Sequence, residues 1–343
     1  MNDVAPPSPE VVQQAQERLE GLATPAGALG RLGDLAVWIS ATQGQVPPAP
    51  LDDVRLVIFA GDHGVAAHGV SAYPSAVTPA MVRTFLAGRA GVSALAAAHG
   101  VAVSVLDLGV DDDLEGVDPA VTAHKVRRGS GAIHLEDALT REECELAFAV
   151  GEQVASEAIA AGAQLLLSGD MGIGNTTPSA ALVAVALGLP AEEVVGRGTG
   201  VDDEGLTRKT DILRQALARV GDRADDPVET LAALGSADLA ATTGYLVTAA
   251  RQGVPVLLDG LISVACALTA ERIAPGAAAW FAAGHRSTEP AQSLALSKLG
   301  LEPVLDLGMR LGEGSGAVAA VPVLRSAVAV LRDVALLADL GPL

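Results

Sequence analysis

The chain has 343 residues, is half hydrophobic, and carries only 2% aromatic residues and a formal net charge of −19. That length holds one large α/β domain with a smaller appendage, and the shortage of aromatics leaves Ala, Val and Leu to build the core. The charge excludes two kinds of partner: no basic stripe exists to neutralise nucleic-acid phosphates, or to hold an anionic membrane surface.

The N-terminus is acidic and Pro-rich, with no positively charged start and no apolar stretch of a secretion signal, and its first half-dozen residues are expected to fray. Residues 9–22 read as a helix with Ser8 as N-cap, a Pro/Gly break follows at Thr24–Gly27, a second helix covers about 29–42, and Val46–Pro50 is a linker. A rhythm then sets in, with short apolar runs at 55–60, 102–106, 164–167, 254–258, 278–282 and 303–305. Each run ends in Gly, Asp or His, as in Gly61-Asp62-His63-Gly64 and Asp259-Gly260, and is followed by Ala-rich helical sequence. Strands alternating with helices imply βαβ units and a mainly parallel sheet. In such sheets the ligand lies beyond the carboxyl ends of the strands, the edge where all this punctuation falls. The tail from Ala317 to Leu340 reads as one or two helices that join the N-terminal pair in a small helical domain. The longest apolar stretches are interrupted by Asp259, Glu271, Arg325 or Arg332, so no membrane span is expected and the protein is expected in the cytoplasm.

Four segments carry the chemistry. Gly169–Thr177 follows a strand and opens a helix near Ser179, which suits either an anion cradle or a turn that needs Gly for its geometry alone. Gly196–Asp203 is a second Gly-rich loop, with Lys209 a few residues on; it is either a second grip on the same anion or a solvated surface turn. In Gly284–Pro290, Arg286 and Ser287 have the reach for phosphate or ribose oxygens, unless Arg286 is spent on an internal ion pair with Glu289. In Arg310–Gly316, Glu313 sits between glycines beside apolar residues, where desolvation raises a carboxyl's pKa towards that of a useful base; the plain alternative is an exposed loop carboxylate. Six histidines are scattered singly, His63 being the most suggestive, and Cys144 and Cys266 match no ligand spacing, so no metal is expected. The absence of Gly-x-x-x-x-Gly-Lys-Ser/Thr and Gly-x-Ser-x-Gly patterns disfavours an ATPase, a kinase and an acyl-transfer hydrolase.

Further segments join these in one order: Thr24–Leu32, Phe59–Val65, Tyr73–Val82, Gly88–Leu95, Val126–Gly129 and Val254–Gly260. The ordered set, spanning nearly the whole chain, closely resembles the nicotinate-nucleotide–dimethylbenzimidazole phosphoribosyltransferase family. The resemblance implies a Rossmann-like α/β fold, doubly wound on a mainly parallel six-stranded sheet. It implies a catalytic domain of residues 50–316, a small helical domain of residues 1–49 plus 317–343, and a homodimer. The implied substrates are nicotinate mononucleotide and a benzimidazole-type base, without metal or organic cofactor. The family's catalytic base falls on Glu313, with Asp170 a second acidic group. Its phosphate- and ribose-binding positions fall on Gly172, Asn175, Thr176, Gly198, Lys209, Gly260 and Ser287, and its pocket for the aromatic base on Met81, Met171 and Leu311 with Tyr73 nearby. Three features depart from the family: Asp170 stands where Glu is usual, Gly235–Leu239 differs from the Gly-Gly-Phe/Leu-Glu-Ile type, and the C-terminus lacks a Met-Ala-Thr-Phe-like ending. Two other functions fit the same residues: a same-fold transferase using another base or a phenol as acceptor, and a non-catalytic nucleotide-binding paralogue.

Overall fold

Six strands form one sheet in the order β2-β1-β3-β4-β5-β6, with every neighbouring pair parallel. They are β1 (Val54–Gly61), β2 (Ala102–Gly109), β3 (Leu165–Met171), β4 (Val256–Leu258), β5 (Phe281–His285) and β6 (Pro303–Leu305). This computed structural model describes residues 3–341. The strand order reverses direction between β1 and β3, the point where an open parallel sheet leaves a crevice for ligand. It is the flavodoxin-like order with one more strand, rather than the 3-2-1-4-5-6 order of dinucleotide-binding folds.

Strand side chains alternate between two apolar layers. Val57, Phe59, Leu166, Val256 and Phe281 enter one core cluster, while Leu56, Ile58, Leu167, Leu257 and Ala282 enter another. Both faces are covered by helices, so the strands read as unbroken apolar runs. With few aromatics, the helices close the remaining distance themselves. A Cβ at Gly151, on the helix Arg141–Ala160, would lie 1.8 Å from Ala241 O, and one at Gly244, on Ala237–Arg251, 2.1 Å from Phe148 O. These two helices therefore touch backbone to backbone.

The largest departures from the expected spans are at β3 and β5. β3 continues past Leu167 through Asp170 and Met171, because Ile58, Phe59 and Ala60 of β1 pair with Gly169, Asp170 and Met171. β5 begins at Phe281 rather than Ala278; Ala277–Trp280 forms a 3-10 turn, in keeping with the poor strand preference of alanine.

At the N-terminus, Met1 and Asn2 lie outside the described residues, and the fraying expected beyond them is absent from Val4 and Ala5. Val4 N donates to Pro275 O (2.8 Å), and Trp280 Nε1 donates to Ala5 O (2.9 Å). Ser8 caps Pro9–Glu20, its Oγ accepting from Val11 N. That helix, Arg31–Gln43 and the end of Ser315–Asp333 share a third cluster around Ala15, Leu22, Ala36, Ala327 and Leu331. The first turns of Ser315–Asp333 belong instead to the sheet, through Ala317, Val318, Val321 and Leu324. By length and composition this helix alone among the described residues would suffice to cross a membrane. Here it is a core helix, and its Arg325 is consumed inside the protein by the carbonyls of Leu51 and His99.

Candidate functional site

A pocket opens at the carboxyl edge of β3, β4 and β5. Asp170 and Met171 arrive on the end of β3, Gly260 follows β4, and Ser287 follows β5. One wall is apolar, formed by Tyr73, Val77, Met81, Met171 and Leu311. Another is polar, formed by Gly172, Asn175, Thr176, Gly198, Ser287 and Glu289. The helix Thr176–Leu187 starts at this polar wall and directs its positive end there. It begins three residues before Ser179 because Pro178 fits a first helical turn, where an N–H has no partner to lose.

Glu313 lies where three successive residues, Gly312, Glu313 and Gly314, have φ of 77°, 66° and 90°. A left-handed Glu between two left-handed glycines is a strained placement that the surroundings must hold. Asp259 does so from the end of β4: its carboxylate accepts from Gly314 N (3.1 Å), Gly316 N (2.7 Å) and Ala317 N (3.0 Å). It thereby anchors the Glu313 loop and caps the helix Ser315–Asp333, whose first N–H groups have no partner within the helix. The loop also presses on β3, since a Cβ at Gly169 would stand 2.3 Å from Glu313 O. The Glu313 side chain is 6% exposed and borders the pocket, and its Oε2 accepts from Val92 N (3.0 Å) at the start of Gly91–His99. Burial raises its pKa, opposed by the Val92 N–H and assisted by the nearby Asp259.

Asp170 is 7% exposed, and Asn175 Nδ2 donates to its Oδ2 (2.8 Å). Burial, then the charges of Asp259 and Asp238, push its pKa up to about 8 against the Asn175 hydrogen bond, with Glu313 adding a smaller push. A carboxyl so raised binds a proton in the folded state that the unfolded chain has already lost at its ordinary 3.8. Stability due to this group is complete below about pH 4 and falls as pH rises towards about 8. Asp170→Asn is therefore expected to flatten the decline of melting temperature between those limits; an unchanged slope would show that Asp170 does not titrate in that window.

All the expected site residues except Lys209 line the pocket. Lys209 is fully buried beneath it, its Nζ donating to Thr176 Oγ1 (2.8 Å) and Gly196 O (2.9 Å), and burial lowers its pKa to about 8. Arg286 takes neither expected course: it donates to Ser293 Oγ (3.0 Å) and faces Asp306 (3.4 Å), while Glu289 accepts from Gly198 N (2.8 Å). His63 is buried with its Nε2 3.5 Å from Asp238 Oδ2, under Gly172. Among the described residues, no group of three or more His, Cys, Asp or Glu side chains is placed to hold a metal ion.

The phosphoribosyltransferase family model matches residues 4–341. This chain belongs to that family. It is 53% identical over 338 residues to the nicotinate-nucleotide–dimethylbenzimidazole phosphoribosyltransferase of Mycolicibacterium paratuberculosis, covering 98% of this chain and 96% of that one. The enzyme of the same name from Mycobacterium tuberculosis is 51% identical, covering 98% and 93%. Among solved structures, CobT from Thermus thermophilus superposes with a TM-score of 0.93 at 46% identity, over 97% of this chain and 99% of that one. Within this phosphoribosyltransferase, three charged residues of the site had escaped the motif reading. Asp259 was visible only as strand-end punctuation, Glu289 only as a partner for Arg286, and Arg310, at the pocket mouth, only as the start of a motif. An acidic residue closing a buried strand was the one signal available for Asp259.

Proposed function

We propose that this phosphoribosyltransferase moves the phosphoribosyl group of nicotinate mononucleotide onto 5,6-dimethylbenzimidazole. The products are α-ribazole 5′-phosphate and nicotinate, in assembly of the cobalamin nucleotide loop. The observation that carries the reading is the desolvated Glu313 carboxyl facing a pocket with one apolar wall and one Gly- and hydroxyl-rich wall. Full-length relatives at about half identity bearing that enzyme name support it.

The chemistry follows from the donor. Its pyridinium leaves C1′ as a neutral ring, so the leaving group needs no acid. A ring nitrogen of the acceptor attacks C1′ from the opposite face, inverting the β-linkage to α. Positive charge develops on the acceptor, and Glu313 takes the proton of its other ring nitrogen. Met81, Met171 and Leu311 pack the flat acceptor, with thioethers that adapt to its shape. Gly172, Asn175, Thr176, Gly198, Gly260 and Ser287 bind phosphate and ribose, while Lys209 holds Thr176 and the Gly196 carbonyl in place from beneath. Fixing donor and acceptor in line accounts for much of the remaining rate.

Purified protein incubated with the mononucleotide and 5,6-dimethylbenzimidazole should release nicotinate and α-ribazole phosphate in equal amounts, followed by chromatography. Nucleotide binding with no release of nicotinate to any benzimidazole, adenine or phenol would leave a non-catalytic binder. The same reading takes the protein to be a cytoplasmic homodimer, with residues 50–316 carrying the chemistry and residues 1–49 plus 317–343 forming a helical unit packed on them. Light scattering should return twice the chain mass of 34.4 kDa; the single-chain mass would remove the dimer.

A further inference from the structure

Asp62, in the Gly61–Gly64 segment that closes β1, has no part in the transfer, yet both its carboxyl oxygens are engaged. Its Oδ1 accepts from Thr78 Oγ1 (2.6 Å) and its Oδ2 from Asp111 N (2.9 Å). Its backbone is fastened too: Asp62 N donates to Gly109 O, and its carbonyl accepts from Ser130 N (both 2.9 Å). Asp62 is therefore a fixed post at the carboxyl edge of the sheet. Thr78, in the first turn of the helix Val77–Leu86, is fully buried. Its hydroxyl donates to Asp62, and the same oxygen accepts from Ile173 N (3.3 Å). A hydroxyl has one hydrogen to give and lone pairs to receive, so one group serves both bonds.

The two segments joined at Thr78 carry different walls of the pocket. The helix supplies Val77 and Met81 to the apolar wall, whereas Ile173 follows Gly172 and precedes Asn175 of the polar wall. Further along the helix, Val82 and Phe85 sink into the core. Apolar contact is non-directional, while a hydrogen bond weakens steeply away from its axis. The core thus sets how deep the helix lies, and Thr78 sets its register against the loop. The loop has little room to shift. A Cβ at Gly172 would stand 2.0 Å from Gly61 O, and one at Gly174 3.1 Å from Ala66 Cβ.

We propose that Thr78, braced by Asp62, is a positioning residue that holds the acceptor's wall in register with the donor's phosphate wall. It acts from behind the lining, through Met81 on one side and Gly172 on the other. The proposal rests on the reading that the flat base lies on Met81 and the nucleotide's phosphate at Gly172. Shifting one wall against the other spoils the line from ring nitrogen to C1′, yet leaves each wall's own contacts in place.

The test compares Thr78→Val, which keeps the shape and removes the hydroxyl, with Thr78→Ser, which keeps the hydroxyl and removes a methyl. Full-length protein is assayed with nicotinate mononucleotide and 5,6-dimethylbenzimidazole, well below its melting temperature. Thr78→Val should lose kcat towards the roughly 10²-fold that an ångström's misplacement costs, while the Kd of each substrate alone barely moves. Thr78→Ser should recover most of the rate, which a role in packing alone would not allow. Wild-type kcat in Thr78→Val overturns the proposal, as does an equal loss in Thr78→Ser or a loss confined to Kd. A second measurement needs no variant: the benzimidazole alone, bound to wild type, should slow hydrogen exchange at the Ile173 amide by bracing the helix. Unchanged exchange overturns the proposal even if Thr78→Val does not fold. If wild type binds both substrates without turnover, the transferase reading falls, and the exchange measurement still decides whether the walls are linked.

Discussion

Glu313→Gln should lower kcat by about 10²–10⁴-fold, the usual worth of a positioned general base, while the Kd for nicotinate mononucleotide barely moves. Gln has nearly the same shape and keeps an oxygen for the Val92 N–H, so the loop and its left-handed backbone stay as they are. What disappears is the capacity to accept a proton. Because burial raises the Glu313 pKa, the wild-type rate should climb with pH through an apparent value above the usual carboxyl range, and the variant should lose that limb. Asp170 adds its charge to the same pocket, so the observed values belong to the pair. Steady-state kinetics beside direct binding reads both quantities. Loss of nucleotide affinity with kcat intact would make Glu313 a binding residue and end its role as base.

Asp259→Ala should cost stability and turnover together. It leaves the N–H groups of Gly314, Gly316 and Ala317 buried without their acceptor. At about 1–3 kcal/mol for each buried group left unsatisfied, the loss is about 3 kcal/mol even at the low end. The melting temperature should fall by several degrees. The Glu313 loop is released at the same point, so kcat should drop even where the variant is fully folded. Asp259→Asn retains one acceptor oxygen and should fall between the two. Calorimetric melting and kinetics at a temperature well below the transition separate the effects. A variant with wild-type melting and turnover would show that Gly312 and Gly314 hold the loop unaided.

The two predictions differ in how visible their residues were beforehand. Glu313 stands in a short Gly-flanked motif, and glycines around one carboxyl are a local sign of an unusual backbone. The role of Asp259 depends on N–H groups 55 to 58 residues away, which no local pattern displays. The same limit explains Arg286 and Glu289. Three residues apart, they suggest an ion pair, yet each finds its partner on another segment, Asp306 for one and Gly198 for the other. Lys209 was legible as a placed cation but not as a buried one. Its depth is set by the helix Asp203–Val220 turning that face inward beneath Thr176.

The alternation of apolar runs with Ala-rich helices by itself determined a parallel α/β sheet and the edge at which the site must lie, because strands buried on both faces need unbroken apolar sequence and return through helices. Motif order determined the family. Strand order, the continuation of β3 through Asp170, the depth of Asp170 and Glu313, and the grip of Asp259 and Glu289 on their loops were decided only in three dimensions. Pairing register and desolvation depend on which distant segments pack against a residue, and a carboxyl's chemistry follows from those neighbours more than from its own place in the chain.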